Sequence, residues 1–329
     1  MKHLIPYAKY RKFPAINYSL LSNVDRNPSS LNQPEEKEST AMNKGSLVDV
    51  LLTSPDLFKK DFYLMKGNKL TASTYTLYKE LITRLPKFSL EAFEKEAFKV
   101  IKDLKLWSTT RDPEVLKKKI HNKDLISNLK DFYNSKSKTQ VYPQEYESCK
   151  ELVNELKTHS FTRGYFTADK SSEILFQVPI VFEHNGIKYK ILLDGILIDK
   201  WNKTFTPFDL KTSEDSARAF PSKIYRWRYD IQASLYSIGA EIFRQANFPD
   251  YESKDFTFVV GSFNSPTRPL LYNAKALLNI GEYGGTLQNG RVIRGFRDLT
   301  EDYFWHLEND LWEYSKEAYT NNGIINLTE

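Results

Sequence analysis

Tyr189-Lys190-Ile191-Leu192-Leu193-Asp194-Gly195-Ile196-Leu197-Ile198-Asp199 is an apolar, strand-forming run with one acid at its middle, and fifteen residues beyond that acid stands Asp209-Leu210-Lys211-Thr212. A carboxylate placed between Leu193 and Ile196 is costly to bury unless it is paired or binds a cation. Asp209, between Phe208 and Leu210, poses the same problem. Strand side chains alternate, so Asp209 and Lys211 share one face of the sheet and Leu210 takes the other. If a hairpin sets Asp194 beside them, two hard oxygen ligands and an ammonium converge, a set suited to Mg²⁺ or Mn²⁺ with the lysine near a water or a phosphate. Taken alone, the short pattern D…DxK more often describes a buried Asp–Lys ion pair.

Working outward, residues 174–182 (ILFQVPIVF) are rich in strand formers and run into His184-Asn185-Gly186, a strong hairpin signal. The second strand is predicted over 187–198, a turn over 200–203 and a third strand over 204–211. A long helix follows, with Ile224, Trp227, Ile231, Leu235, Ile238 and Ile242 spaced to face a core. Tyr225, Arg228, Tyr229, Gln232 and Tyr236 make its polar face, which can meet a phosphate backbone. A fourth strand is predicted over 256–263, and Thr300 is expected to cap a last helix through Phe304, Leu307, Leu311 and Tyr314. The order strand, strand, strand, helix, strand predicts an α/β core with a central mixed β-sheet flanked by helices.

Before this core the pattern is helical. A short helix is expected over 16–24, stopped by Asn27-Pro28, then a polar loop over 29–40 and a helix carrying Leu47, Val48, Leu51 and Leu52. Helical periodicity dominates 72–160. The expected organisation is an arm of residues 1–44 and one domain of residues 45–329, with a helical part (45–165), a sheet core (170–265) and a C-terminal helix (300–320).

Composition narrows the function classes. The single cysteine, Cys149, excludes an intrachain disulfide and any four-cysteine iron–sulfur or zinc site built by this chain. The five histidines show no zinc-hydrolase spacing, and Gly281-Glu282-Tyr283-Gly284-Gly285 lacks the lysine of a P-loop. No apolar run approaches the ~20 residues of a membrane span, so a cytoplasmic location without membrane association is expected. A net charge of +5 barely discriminates among partners.

Joined to the helix that follows, the motif becomes specific. Asp194…Asp209-Leu210-Lys211-Thr212…Tyr229-Asp230-Ile231-Gln232-Ala233-Ser234-Leu235-Tyr236 resembles the PD-(D/E)XK nuclease signature with its QxxxY helix, and within that superfamily the exodeoxyribonuclease VIII (RecE) type. Asn17-Tyr18-Ser19-Leu20-Leu21 and Lys44-Gly45-Ser46-Leu47-Val48-Asp49 resemble that family's opening helices, with Asp49 where the family usually has histidine.

The resemblance implies a restriction-endonuclease-like core with an N-terminal helical elaboration, in which Asp194, Asp209 and the carbonyl of Leu210 bind divalent metal. Glu173 and Asp49 are possible further ligands. Lys211 would position or help deprotonate the attacking water, and Gln232 and Tyr236 would hold the site and the DNA strand. Arg226, Arg228 and Tyr229 are candidate DNA contacts. The implied activity is Mg²⁺-dependent hydrolysis of DNA, with Mn²⁺ able to substitute, by 5′-to-3′ resection of double-stranded ends. The implied partners are DNA ends, a single-strand annealing protein and further copies of the chain in a ring. A structure-specific DNA or RNA endonuclease and a catalytically inactive DNA-binding or virion homologue are the alternatives.

Overall fold

The computed structural model describes residues 1–32, 40–67, 69–85, 87, 89–108, 110, 112–135, 137–263 and 268–325. The chain divides into two compact units, one of residues 1–45 with 152–329 and one of residues 46–151.

The first unit is built on a mixed sheet. Strands β1 (Ser172–His184) and β2 (Ile187–Asp199) form an antiparallel hairpin. Its turn is Asn185-Gly186, with φ of 52° and 75°, the left-handed pair a two-residue hairpin turn requires. Strand β3 (Thr204–Ser213) pairs antiparallel with β2, and β4 (Thr257–Ser262) pairs parallel with β3. Strand β5 (Leu270–Asn273) closes the order β1-β2-β3-β4-β5, while Glu252–Ser253 pairs with the start of β3, giving six strands among the described residues.

Two parallel neighbours need a crossover, and the connection from β3 to β4 contains α2 (Tyr229–Asn247). Its Ile231, Leu235 and Phe243 are fully buried with Ile191, Leu193, Phe205 and Phe258 of the sheet. The expected continuous helix from Ile224 is instead broken. Residues Ile224–Trp227 form one turn, Arg228 adopts the left-handed conformation (φ 58°), and α2 starts afresh at Tyr229. The break takes Trp227 out of the predicted core stripe and leaves it 41 % exposed.

Ahead of the sheet, α1 (Tyr18–Arg26) is capped by Asn17, whose side chain accepts the Leu20 N–H, and it buries Leu21 and Val24. The N-terminal segment bridges to the sheet at Leu4–Ile180 and Ile16–Tyr189. Buried Lys190 donates to the carbonyls of Tyr10, Arg11 and Phe13, tying that segment down. The last long helix starts earlier than predicted, over Phe296–Asn309, with Gly295 at its cap. Thr300 lies inside it, buried, donating to the Phe296 carbonyl and paired with the Tyr189 hydroxyl. Leu311 and Tyr314 fall beyond its end. Residues 33–39 of the expected polar loop lie outside the described residues.

The second unit is helical, with Ala72–Arg84, Leu90–Asp103, Pro113–Ile120 and Lys123–Ser135 around a core that includes Leu77, Tyr78, Phe93, Val100 and Phe132. Thr71, Ser89 and Asp112 cap the first three of these, each accepting a first-turn N–H, as their positions before the helical runs dictate. Phe62–Leu64 and Thr139–Val141 add a short parallel pair. Among the described residues no helix is long and apolar enough to cross a membrane.

Candidate active site

Asp194 sits on β2 one residue before Gly195, which is paired with Phe208 of β3. A side chain at Gly195 would strike the Phe208 ring, its Cβ falling 2.1 Å from the ring edge, so glycine is what lets the two strands close at this point. The Asp194 carboxylate reaches across and accepts the Leu210 N–H through Oδ2 at 2.8 Å. In an extended strand the N–H and C=O of one residue point the same way. The Leu210 carbonyl therefore faces the Asp194 side, where the registered ladder with β2 has ended at the Gly195–Phe208 pair.

Asp209 is buried, 3 % exposed. Its Oδ1 accepts from Nε2 of Gln232 on α2 at 2.7 Å, and Lys211 Nζ lies 2.5 Å from Oδ2. That second contact is a short, buried ion pair in which the ammonium donates to the carboxylate. Burial pushes the Asp209 carboxyl above its ordinary value, against the pull of Lys211 and Gln232. For Lys211, burial works to lower the ammonium, but Asp209, Tyr229 and Asp194 outweigh it and hold it above its usual range. Lys211 also lies 4.7 Å from the Tyr229 ring centroid and 5.8 Å from that of Phe258, which favours the charged form further. A lysine held in this way keeps its proton. It places a positive charge beside the two carboxylates.

Tyr236, one helical turn beyond Gln232, is also buried, edge-on to Phe256. Burial, then Tyr10, Asp209 and Asp194, raise its phenol well above the ordinary value, with Gln232 opposing. It is positioned to brace the site from within and not to touch a bound strand.

Three expectations are corrected, those for Glu173, Arg228 and Tyr236. Glu173 stands opposite Ile198 in the β1–β2 ladder and pairs with Lys200 at 2.9 Å. Four residues of strand, about 13 Å, separate Ile198 from Asp194. The β1 side chain that does reach Asp194 is Gln177, whose Nε2 lies 3.5 Å from Oδ1. Gln177 has a φ of 49° in the middle of a strand, a conformation that costs a non-glycine residue and is tolerated where the surroundings enforce it. Arg228 is not a nucleic-acid contact: it is 2 % exposed and pairs with Asp25 at 2.5 Å, Asp230 at 3.1 Å and the Arg294 carbonyl. Tyr229 is half-buried, stacked on Phe220, with Lys211 over its ring. Tyr236, as described, is inside. Arg226 is exposed, beside the Trp227 ring. Asp49 lies on the helix Thr40–Thr53, half-buried, its carbonyl accepting from Thr53.

The sequence matches, over residues 28–260, the model of a family described as a PDDEXK-like domain of unknown function. The chain belongs to this family. A solved structure from Eubacterium rectale, described as a "putative exonuclease", is similar over 97 % of this chain and 86 % of its own, with 14 % identity and a TM-score of 0.44. No curated protein matches the sequence.

Membership in a PDDEXK-like family supports a nuclease, and nucleases of this kind generally use divalent metal ions. The donor set of this PDDEXK-like domain fits such an ion. Asp209 Oδ2 is a buried carboxylate oxygen whose close neighbour is the Lys211 ammonium, Asp194 is a second carboxylate, and the Leu210 carbonyl faces the same side. Among the described residues no cluster of three or more His, Cys, Asp or Glu gathers. A hard cation that keeps several waters, in the manner of Mg²⁺, suits two carboxylates and a carbonyl better than a zinc-type site.

Proposed function

We propose that this PDDEXK-like domain is a metal-dependent deoxyribonuclease of the RecE type that hydrolyses phosphodiester bonds from double-stranded DNA ends, 5′ to 3′. The observation that carries the reading is the convergence of Asp194, Asp209, Lys211 and Gln232, from two strands and a helix, on one buried carboxylate centre. A bare carboxylate pair would repel a phosphate; a protonated lysine offsets one of the two charges, and a bound divalent metal would reverse the local field.

The residues divide the work. Asp194, Asp209 and the Leu210 carbonyl would hold Mg²⁺, or Mn²⁺ in its place, which when bound polarises the phosphate and lowers the pKa of an attacking water. Lys211 donates to the phosphate or to the water and stabilises negative charge that develops in the transition state. The Gln232 amide fixes the Asp209 carboxylate by its Oδ1, leaving Oδ2 directed at Lys211. Leu210 N–H fixes Asp194 in the same way. The resemblance to RecE-type enzymes further supports a ring of several copies and transfer of the 3′ overhang to a single-strand annealing protein, in the cytoplasm.

The test is digestion of linear duplex DNA labelled separately at its 5′ and 3′ ends, beside a closed circle, with Mg²⁺ and with EDTA. Metal-dependent loss of the 5′ label with circles spared is the expected result. Cutting of circles would make the enzyme an endonuclease, and no cutting in any divalent metal would overturn the reading in favour of a silent nucleic-acid-binding homologue.

A further inference from the structure

The helix break that removes Trp227 from the core has a second effect. It presents the indole at the surface two residues before Tyr229, the ring over which catalytic Lys211 lies. The guanidinium carbon of Arg26, the last residue of α1, is 5.4 Å from the Trp227 ring centroid, and that of Arg226 is 5.5 Å away. Among the described residues neither arginine makes an ion pair with a carboxylate; Arg26 only donates through Nε to the Ser22 carbonyl at 3.2 Å. Tyr18 ties this cluster to the site. Its hydroxyl donates to the Trp227 carbonyl at 2.5 Å, and its phenol, raised to about 12 chiefly by burial, feels the charges of Lys211 and Asp209.

An exposed indole with two guanidinium groups over its ring, neither ion-paired to a carboxylate among the described residues, combines an aromatic face with charge for phosphate beside a centre built for phosphodiesters. We propose that Trp227, Arg26 and Arg226 form a platform for unpaired nucleotides of a single-stranded end: one base stacks on Trp227 and the flanking phosphates pair with the two arginines. The proposal rests on the nuclease reading. A paired, stacked base offers no free face to an aromatic ring, so the occupant is single-stranded. The sequence marks Arg226 as a candidate contact, whereas Arg26 lies two hundred residues away and the helical spacing of Trp227 predicts a core position.

The experiment uses the full chain in EDTA, where turnover is stopped, with dodecathymidylate and a blunt duplex of equal length as probes. Trp227→Ala is expected to weaken dodecathymidylate binding about tenfold, with Trp227→Phe recovering most of it, because base–aromatic stacking is worth roughly that factor or more. Arg26→Ala and Arg226→Ala should each lower the slope of log affinity against log salt by about 0.7, the value of one phosphate contact on a single strand. Melting temperatures should stay at the wild-type value, which separates contact from folding. Equal binding of dodecathymidylate by wild type and Trp227→Ala would overturn the platform, as would a polyglutamate peptide that binds Trp227 as well as the oligonucleotide does. A wild-type chain that neither binds nor cuts nucleic acid would overturn the nuclease reading and the platform together, whereas a wild type that cuts DNA beside an unimpaired Trp227→Ala would remove the platform alone.

Discussion

The side-chain amide of Gln232 lies 2.7 Å from Oδ1 of Asp209, joining α2 to β3 across 23 positions of sequence. That single bond fixes which oxygen of Asp209 faces Lys211. Asp209 Oδ1 is occupied from the helix side, and Oδ2 is left to the ammonium and to a metal. Gln232→Leu, which keeps the volume and removes the amide, is expected to lower kcat by about 10²-fold, of the order seen when a group that positions catalytic machinery is lost. Gln232→Glu should do worse, because it sets a second carboxylate against Asp209. Steady-state rates on end-labelled duplex measure both, and wild-type kcat in Gln232→Leu would deny the residue its positioning role.

Asp209 and Lys211 are a buried ion pair, so the two single substitutions are not equivalent to a clean loss of function. Lys211→Ala strands a buried carboxylate and Asp209→Ala strands a buried ammonium; each is expected to destabilise the apoprotein by about 3 kcal/mol. Asp209→Asn keeps the shape and an acceptor, so it should abolish cleavage with a smaller loss of stability. Denaturant melts alongside activity assays separate the effects, and an active Asp209→Asn enzyme would sink the site assignment.

Metal and protons compete for Asp209. Burial raises its carboxyl above the ordinary 3.8, so below the raised value the group is protonated and binds metal weakly. Apparent Mg²⁺ affinity should therefore strengthen as pH rises through a window that opens at 3.8 and extends upward, by at most about tenfold per pH unit for one displaced proton. The stability of the apoprotein should run the other way. The folded state binds the extra proton in that window, so stability falls as pH rises and bound metal restores it. Calorimetric Mg²⁺ titrations at several pH values test the linkage, and affinity independent of pH across the window would refute it; EDTA should abolish cleavage throughout.

Arg226 and Arg228 are two residues apart and have opposite roles. Arg228→Ala leaves Asp25 and Asp230 without their shared partner and is expected to cost about 3–5 kcal/mol of stability. Arg226→Ala should leave the melting temperature unchanged. The comparison needs only a thermal melt of each variant, and a stable Arg228→Ala protein would show that the buried network is dispensable.

The sequence by itself determined the core of this protein. Alternation fixes which side chains of a strand share a face, so Asp209 and Lys211 had to meet. The two-residue turn Asn185-Gly186 fixes the hairpin register, and counting back from it sets Gln177 against Asp194 and Glu173 against Ile198. Glu173 has the chemistry of a ligand, but the register set by the turn points to Gln177. The family match over residues 28–260 agrees with the motif that spans Asp194 to Tyr236.

Only the tertiary structure decided the rest. Helical spacing gives one continuous stripe from Ile224 to Ile242, and nothing local announces that Arg228 turns left-handed. That conformation is held by Asp25 from α1, the neighbouring Asp230 and the carbonyl of Arg294, two of which are far away along the chain. A guanidinium buried among such partners takes its backbone with it, breaks the helix and exposes Trp227. Local propensity and periodicity are read over a few neighbouring residues; a buried charge is satisfied by whatever the fold brings to it, and that is settled only when the whole unit has closed.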